Sequence, residues 1–142
     1  MKTIKIIYWV TTAIIGLMMT YSAYAYLTNA AMPQAFHHLG YPDYFRVELA
    51  VAKLIGAVLL LAPLASFSAK TAPGTGTPIE TRMTVGARVK EWVYAGFAFT
   101  FIAAFIAHTA SGDPAGNRSG PIIFLVLLAI SYFSYHRLQK TA

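Results

Sequence analysis

The sequence contains no cysteine. Disulfides, thiol redox chemistry, iron–sulfur clusters and thiolate zinc sites are therefore excluded. Charge is scarce as well. Of 142 residues only 11% are Asp, Glu, Lys or Arg, and just five are acidic; a soluble domain carries about 25%. A surface this poor in charge cannot be mostly wet. With 57% hydrophobic residues, the chain reads as a single integral membrane domain over residues 1–142. No nucleotide-binding or hydrolase motif is present. The net charge of +6 does not point to nucleic acid, because the basic residues are spread over loops and ends, as membrane topology requires.

Four apolar runs stand out. The expected spans cover residues 4–27, 44–67, 90–110 and 121–137, each near the roughly 20 residues that cross a bilayer. The last run is short unless Arg137 and Lys140 snorkel. The first resembles a signal peptide, with Lys2 and Lys5 before it and Ser22-Ala23-Tyr24-Ala25 at its end. Its apolar stretch exceeds the roughly 7–15 residues of a signal core, so it is read as an uncleaved anchor. The fold class is all-α, a four-transmembrane-helix bundle.

Lys and Arg give the orientation. Eight lie in the N-terminus, in the second connection counted from Ser68 to Glu91 (Lys70, Arg82, Arg88 and Lys90) and in the C-terminus, whereas Arg46 and Arg118 lie on the other side. The positive-inside rule then puts both termini in the cytoplasm of a bacterial inner membrane. In the first, outer connection, Met32-Pro33 can open a short surface helix that Gly40 closes. Pro42 and Asp43 then start the second span. The cytoplasmic connection over residues 68–89 is rich in Thr, Pro and Gly and is expected to be mobile.

The polar residues within the spans are the candidates for function. Arg46 is expected to pair with Asp43, three residues earlier. Glu48 and Lys53 are five residues apart, about 140° around a helix, so they are not natural partners on their own helix. Lys53 shares a stripe with Leu49, Ala50, Gly56 and Ala57, and small residues mark a close helix–helix face. It is expected to point into the bundle, as a structural lysine or as a binding or proton-handling one. Tyr21 and Tyr24 on the first span and His108 on the third occur at matching depth. Tyr21, Tyr24, Glu48, Lys53 and His108 are therefore expected to converge in the outer half as ligand-binding residues. Glu91, beside Trp92, reads on position alone as a charge at the inner interface.

The four histidines are His37, His38, His108 and His136. No two lie on different spans at one depth, as a membrane bis-His haem requires. His37, His38, His108 and Asp113 could gather at the outer face, but adjacent histidines make poor joint ligands. No metal site, catalytic residue or intrinsic cofactor is expected.

The segments HHLGYPDYFRVELAVAKLIGAVLLLAP and VKEWVYAGFAFTFIAAFIAHTASGDP resemble the DoxX-like family of small bacterial four-helix membrane proteins. The pattern is the step Leu39 to Pro42, Lys53 to Gly56, the opening Lys90 to Phe97, and Ala107-His108 with Gly112-Asp113. The connection after the second span is longer than the family's usual turn. The resemblance implies the four-helix fold. It also draws Glu91 into the set of candidate ligand-binding residues. Members of the wider group are associated with thiosulfate:quinone oxidoreduction and with membrane complexes that handle oxidative stress.

The expected function is accordingly an accessory subunit of a redox-linked membrane complex, not an enzyme on its own. An outer-half polar pocket would take a small molecule such as a quinone, and a redox partner protein would carry the electrons. The alternatives are a small-solute or proton-coupled transporter and a non-catalytic assembly subunit.

Overall fold

Tyr8, Thr11, Thr12, Ile15, Gly16, Met19 and Ala23 are the buried residues of the first helix. They recur at steps of three and four, which places them on one face of a 3.6-residue helix. The computed structural model describes residues 2–62 and 85–140. Within them the chain forms five helices and no strand: α1 (Lys2–Thr28), α2 (Met32–His38), α3 (Asp43–Leu61), α4 (Val85–Ala110) and α5 (Ala115–Lys140).

The four long helices form a ring in which each packs on two neighbours. α1 lies along α3 and α5, α4 lies along α5, and α4 rests more lightly on α3; α2 covers one end, against α3 and α1. Cross-helix contacts give the register. Tyr8 of α1 meets Lys90 and Tyr135, whereas Ser22 meets Lys53. The long helices therefore alternate in direction. Between these two levels the core is apolar, with Ile15, Leu60, Phe97, Phe101 and Leu128 at its centre. Outside, Leu17, Trp92, Phe99 and Phe133 are exposed, the pattern of helices solvated by lipid rather than water.

Among the described residues, α1, α4 and α5 are long and apolar enough to cross a membrane. α3 carries Asp43, Arg46, Glu48 and Lys53 in its 19 residues, which keeps it below the same measure. The continuation of the second expected span, residues 63–67, lies outside the described residues, as do residues 68–84 of the connection expected to be mobile.

Two helix starts differ from expectation. α4 begins at Val85, five residues before residue 90, so the last part of that connection is helix. Gly86 and Ala87 are both buried, and burial of this small-residue turn extends the helix beyond its apolar run. α5 begins at Ala115 and takes Pro121 into its interior. Its start is set earlier, by Pro114, whose carbonyl accepts the Asn117 N–H at 3.0 Å.

Two glycines fix the end that α2 covers. Gly40 has φ +83° and Gly112 φ +72°, a region that glycine enters without strain. After α2, Tyr41 N–H donates to Phe36 O and Gly40 N–H to His37 O; after α4, Asp113 N–H donates to His108 O and Gly112 N–H to Thr109 O. Both are Schellman closures, which satisfy the last carbonyls of a helix. The second folds Asp113 back over His108.

Candidate functional site

Ala50, Lys53, Gly56, Ala57 and Leu60 form the buried face of α3. The small residues let α1 and α4 approach, and at Gly56 the Phe97 ring occupies the space a Cβ would take, 2.7 Å away. Lys53 follows this face into the bundle and is only 5% exposed. Its Nζ donates to Ser22 Oγ at 2.9 Å and lies 3.9 Å from the centroid of the Tyr26 ring. No carboxylate among the described residues pairs with it.

The balance of energies explains how it can stay there. A charge at the middle of a bilayer costs at least about 2.5–3.5 kcal/mol. A hydrogen bond from a charged group returns roughly 1.5–3 kcal/mol, and a desolvated cation–π contact about 2 kcal/mol. These offset the cost without an ion pair. An ammonium has three N–H donors, and Ser22 takes one.

Lys53 also lines a cavity of about 450 Å³ bounded by α1, α2, α3, α4 and α5. Met19, Phe36, Phe45, Phe101 and Phe124 give it apolar walls; Ser22, Tyr26, Tyr41, Lys53, Thr100 and His108 are its polar side chains. Lys53 and His108 thus line one space. His108 Nδ1 is held 2.5 Å from Asp113 Oδ2, and the other carboxylate oxygen lies 2.8 Å from His38 Nε2. Ser111 Oγ donates to the carbonyl of His38. This bridge ties α2 to the α4–α5 turn above the cavity. The hydrogen bonds from His108 and then His38 hold the Asp113 carboxyl below its ordinary value. Among the described residues no group of three His, Asp or Glu side chains is placed to hold a metal.

Three residues expected to converge here do not. Glu48 is exposed and does not line the cavity. Tyr21 and Tyr24 are 67% and 63% exposed and point away from it. Relative to Tyr8 they sit about 220° and 160° around α1, on its far side, while Tyr26 lies 18 residues on, about five full turns. Ser22 and Tyr26 face Lys53 instead.

The expected Arg46–Asp43 pair is also corrected. Arg46 Nη1 donates to the carbonyl of Tyr26, one of the last α1 carbonyls that lack an intrahelical donor. Asp43 lies 3.3 Å from His37 Nε2. A cross-helix carbonyl at the same level outcompetes an exposed local carboxylate, because it has no other donor.

At the opposite end lies a second buried lysine, Lys90, which charge counting along the sequence assigns to the cytoplasmic connection. Lys90 is 4% exposed, and its Nζ donates to Tyr8 OH at 2.7 Å. Tyr135 stands nearby, its ring centroid 5.3 Å from Nζ. One turn deeper, Ser131 Oγ bonds Thr12 Oγ1 at 2.7 Å and Tyr94 OH at 2.8 Å. Glu91 lies at this end, with Oε1 2.8 Å from His136 Nε2, and lines a separate pocket with Tyr94 and Tyr132. It is remote from the Lys53 cavity.

The model of the DoxX-like family matches residues 10–77. Over this stretch the chain is DoxX-like. The DoxX-like region takes in most of α1, all of α2 and all of α3, and so contains Ser22, Tyr26 and Lys53. His108, Asp113 and Glu91 lie beyond it. No curated protein matches the chain, and no solved structure does. With its apolar helices, the DoxX-like match identifies an integral membrane protein.

Proposed function

We propose that this DoxX-like protein is a four-span accessory subunit of a redox-linked complex in a bacterial inner membrane, binding a quinone in the Lys53 cavity. The observation that carries the reading is that cavity: it pairs aromatic and apolar walls with two convergent hydrogen-bonding groups, Lys53 and His108. Ligand sites combine these features. Lys53, whose ammonium has one donor beyond those turned to Ser22 and Tyr26, would bond one quinone carbonyl. His108, fixed by Asp113, would face the other.

α3 completes the four spans in this reading. Its 19 residues reach about 28 Å at 1.5 Å per residue, close to the roughly 30 Å hydrocarbon core. Asp43, Arg46 and Glu48 stay in its first two turns, near water, and Lys53 is the one charge carried inside. The distribution of Lys and Arg favours cytoplasmic termini, with α2 and the cavity toward the outer face. Electrons would pass through a partner protein. Among the described residues, Ile15, Leu60, Phe97, Phe101 and Leu128 form an apolar core between the levels of the two lysines, which favours binding over transport.

The test is extraction. Protein purified from native membranes is expected to yield quinone by mass spectrometry, and Lys53→Met protein to yield little. Wild-type protein that carries no quinone and takes up none when it is added sinks the proposal.

A further inference from the structure

The Lys53 cavity does not end at Lys53. A groove of about 640 Å³ runs between α3 and α4, and it shares Leu49, Lys53 and Thr100 with the cavity. From there it continues past Gly56 and Leu59 on α3 and Gly96 and Trp92 on α4, as far as Val85. Thr100 to Val85 spans 15 residues of helix, roughly 22 Å at 1.5 Å per residue. The groove exists because α4 rests only lightly on α3, and because Gly96 leaves it open. A Cβ built at Gly96 meets nothing within 4 Å.

We infer that this groove holds the long apolar tail of the ligand whose head sits at Lys53, so that the protein selects polyprenyl-tailed quinones over short, water-soluble ones. The inference rests on the quinone reading above and adds the class of tail. Two observations set the occupant apart from an ordinary membrane phospholipid. Lys53 lies seven residues beyond Arg46, roughly 10 Å deeper, below the level where a phosphate headgroup stays hydrated. The polar groups at the junction of cavity and groove are Lys53 and Thr100, which suit a small, uncharged, carbonyl-bearing head. The tail then leaves that junction along a surface with little polar character until Arg88 at its far end.

Tail position can be read directly. The full-length protein is reconstituted in nanodiscs with a benzoquinone that carries a diazirine near the end of a long alkyl tail. After illumination, labelled residues are mapped by mass spectrometry. Labelling is expected on the groove, at Leu59, Trp92 or Val85, and an excess of the same head with one prenyl unit should compete it away. Gly96→Leu, which places a side chain in the open space, should lower groove labelling about tenfold, as should Lys53→Met, each equivalent to about 1.4 kcal/mol. Gly96→Ala adds one methyl in free space and should label as wild type, which separates blockage from misfolding. Labelling spread over lipid-facing Leu17 and Phe133, or unchanged in Gly96→Leu, overturns the tail assignment while leaving the head site standing. Groove labelling that ignores both the head competitor and Lys53→Met, and is equalled by a phospholipid with the same diazirine on its acyl chain, overturns the quinone reading as well.

Discussion

The Lys53 ammonium lies 3.9 Å from the centroid of the Tyr26 ring and 2.9 Å from Ser22 Oγ, and both partners belong to α1. The contact has a counterpart five turns away on the same face of α1, where Tyr8 OH accepts from Lys90 at 2.7 Å. One helix thus receives a buried lysine near each end. Only the Lys53 level opens into a cavity shared with His108, and this difference leads to distinct expectations for the two lysines.

Lys53→Met should not destabilise the protein. Methionine retains most of the stem's apolar volume and removes a buried charge whose desolvation its partners only offset; replacing buried ionic groups with well-packed apolar ones is often neutral or stabilising by about 1–4 kcal/mol. Ser22 can turn its hydroxyl to a carbonyl on its own helix. Thermal unfolding in detergent should show an equal or higher midpoint, and a clear drop would make Lys53 a structural fastener.

Arg46→Ala should cost about 1.5–3 kcal/mol, the range for hydrogen bonds to a charged group, because the Tyr26 carbonyl loses its donor. Asp43→Asn should act independently of it. A double-mutant cycle is expected to give a coupling near zero, within the roughly 0.3–0.5 kcal/mol of additive sites. Strong coupling would restore the local pair read from sequence.

That correction shows what the sequence holds and where it stops. Apolar runs announced the long helices, and Gly40 announced the end of α2, because both are local: a hydrophobic length and a φ that glycine tolerates. The cavity's polar partners were harder. Depth matches Tyr21 to Lys53, but depth along a helix leaves the angle around it open. The buried face of α1 is fixed by Tyr8, Thr12 and Ile15, which pack against other helices. Once that face is known, Tyr26 falls on it and Tyr21 and Tyr24 fall outside. The burial of Lys90 is illegible in the sequence for a related reason: it sits at the edge of an apolar run, and its partner is Tyr8, 82 residues away.

Asp113 gives a dependence on pH. Its carboxyl is held below the ordinary value by His108 and then His38. A depressed value in the folded state means that the ionised form favours folding. The contribution is present above the unfolded value, near pH 4, and is lost as the pH falls through the lower folded value. Wild-type unfolding midpoints should therefore decline below about pH 4 more steeply than those of Asp113→Asn. Parallel curves for the two proteins would show that the His38–Asp113–His108 bridge does not support the fold.

Ser131→Ala removes the common partner of Thr12 and Tyr94 at a fully buried position. Helix–helix hydrogen bonds in membranes average about 0.6 kcal/mol each, so the loss should be about 1 kcal/mol. Ser131→Ala combined with Thr12→Val should cost less than the sum of the single changes, since both break one bond. Unfolding in graded denaturing detergent measures it, and strict additivity would contradict the shared bond.

The most direct measurement compares the two buried lysines. Binding of a polyprenyl benzoquinone to purified protein is followed by quenching of intrinsic fluorescence in wild type, Lys53→Met and Lys90→Met. The account predicts that Lys53→Met weakens binding about tenfold or more, a loss of at least ~1.4 kcal/mol, while Lys90→Met binds as wild type. Equal binding by all three proteins, or a loss confined to Lys90→Met, would contradict a head-group site at Lys53.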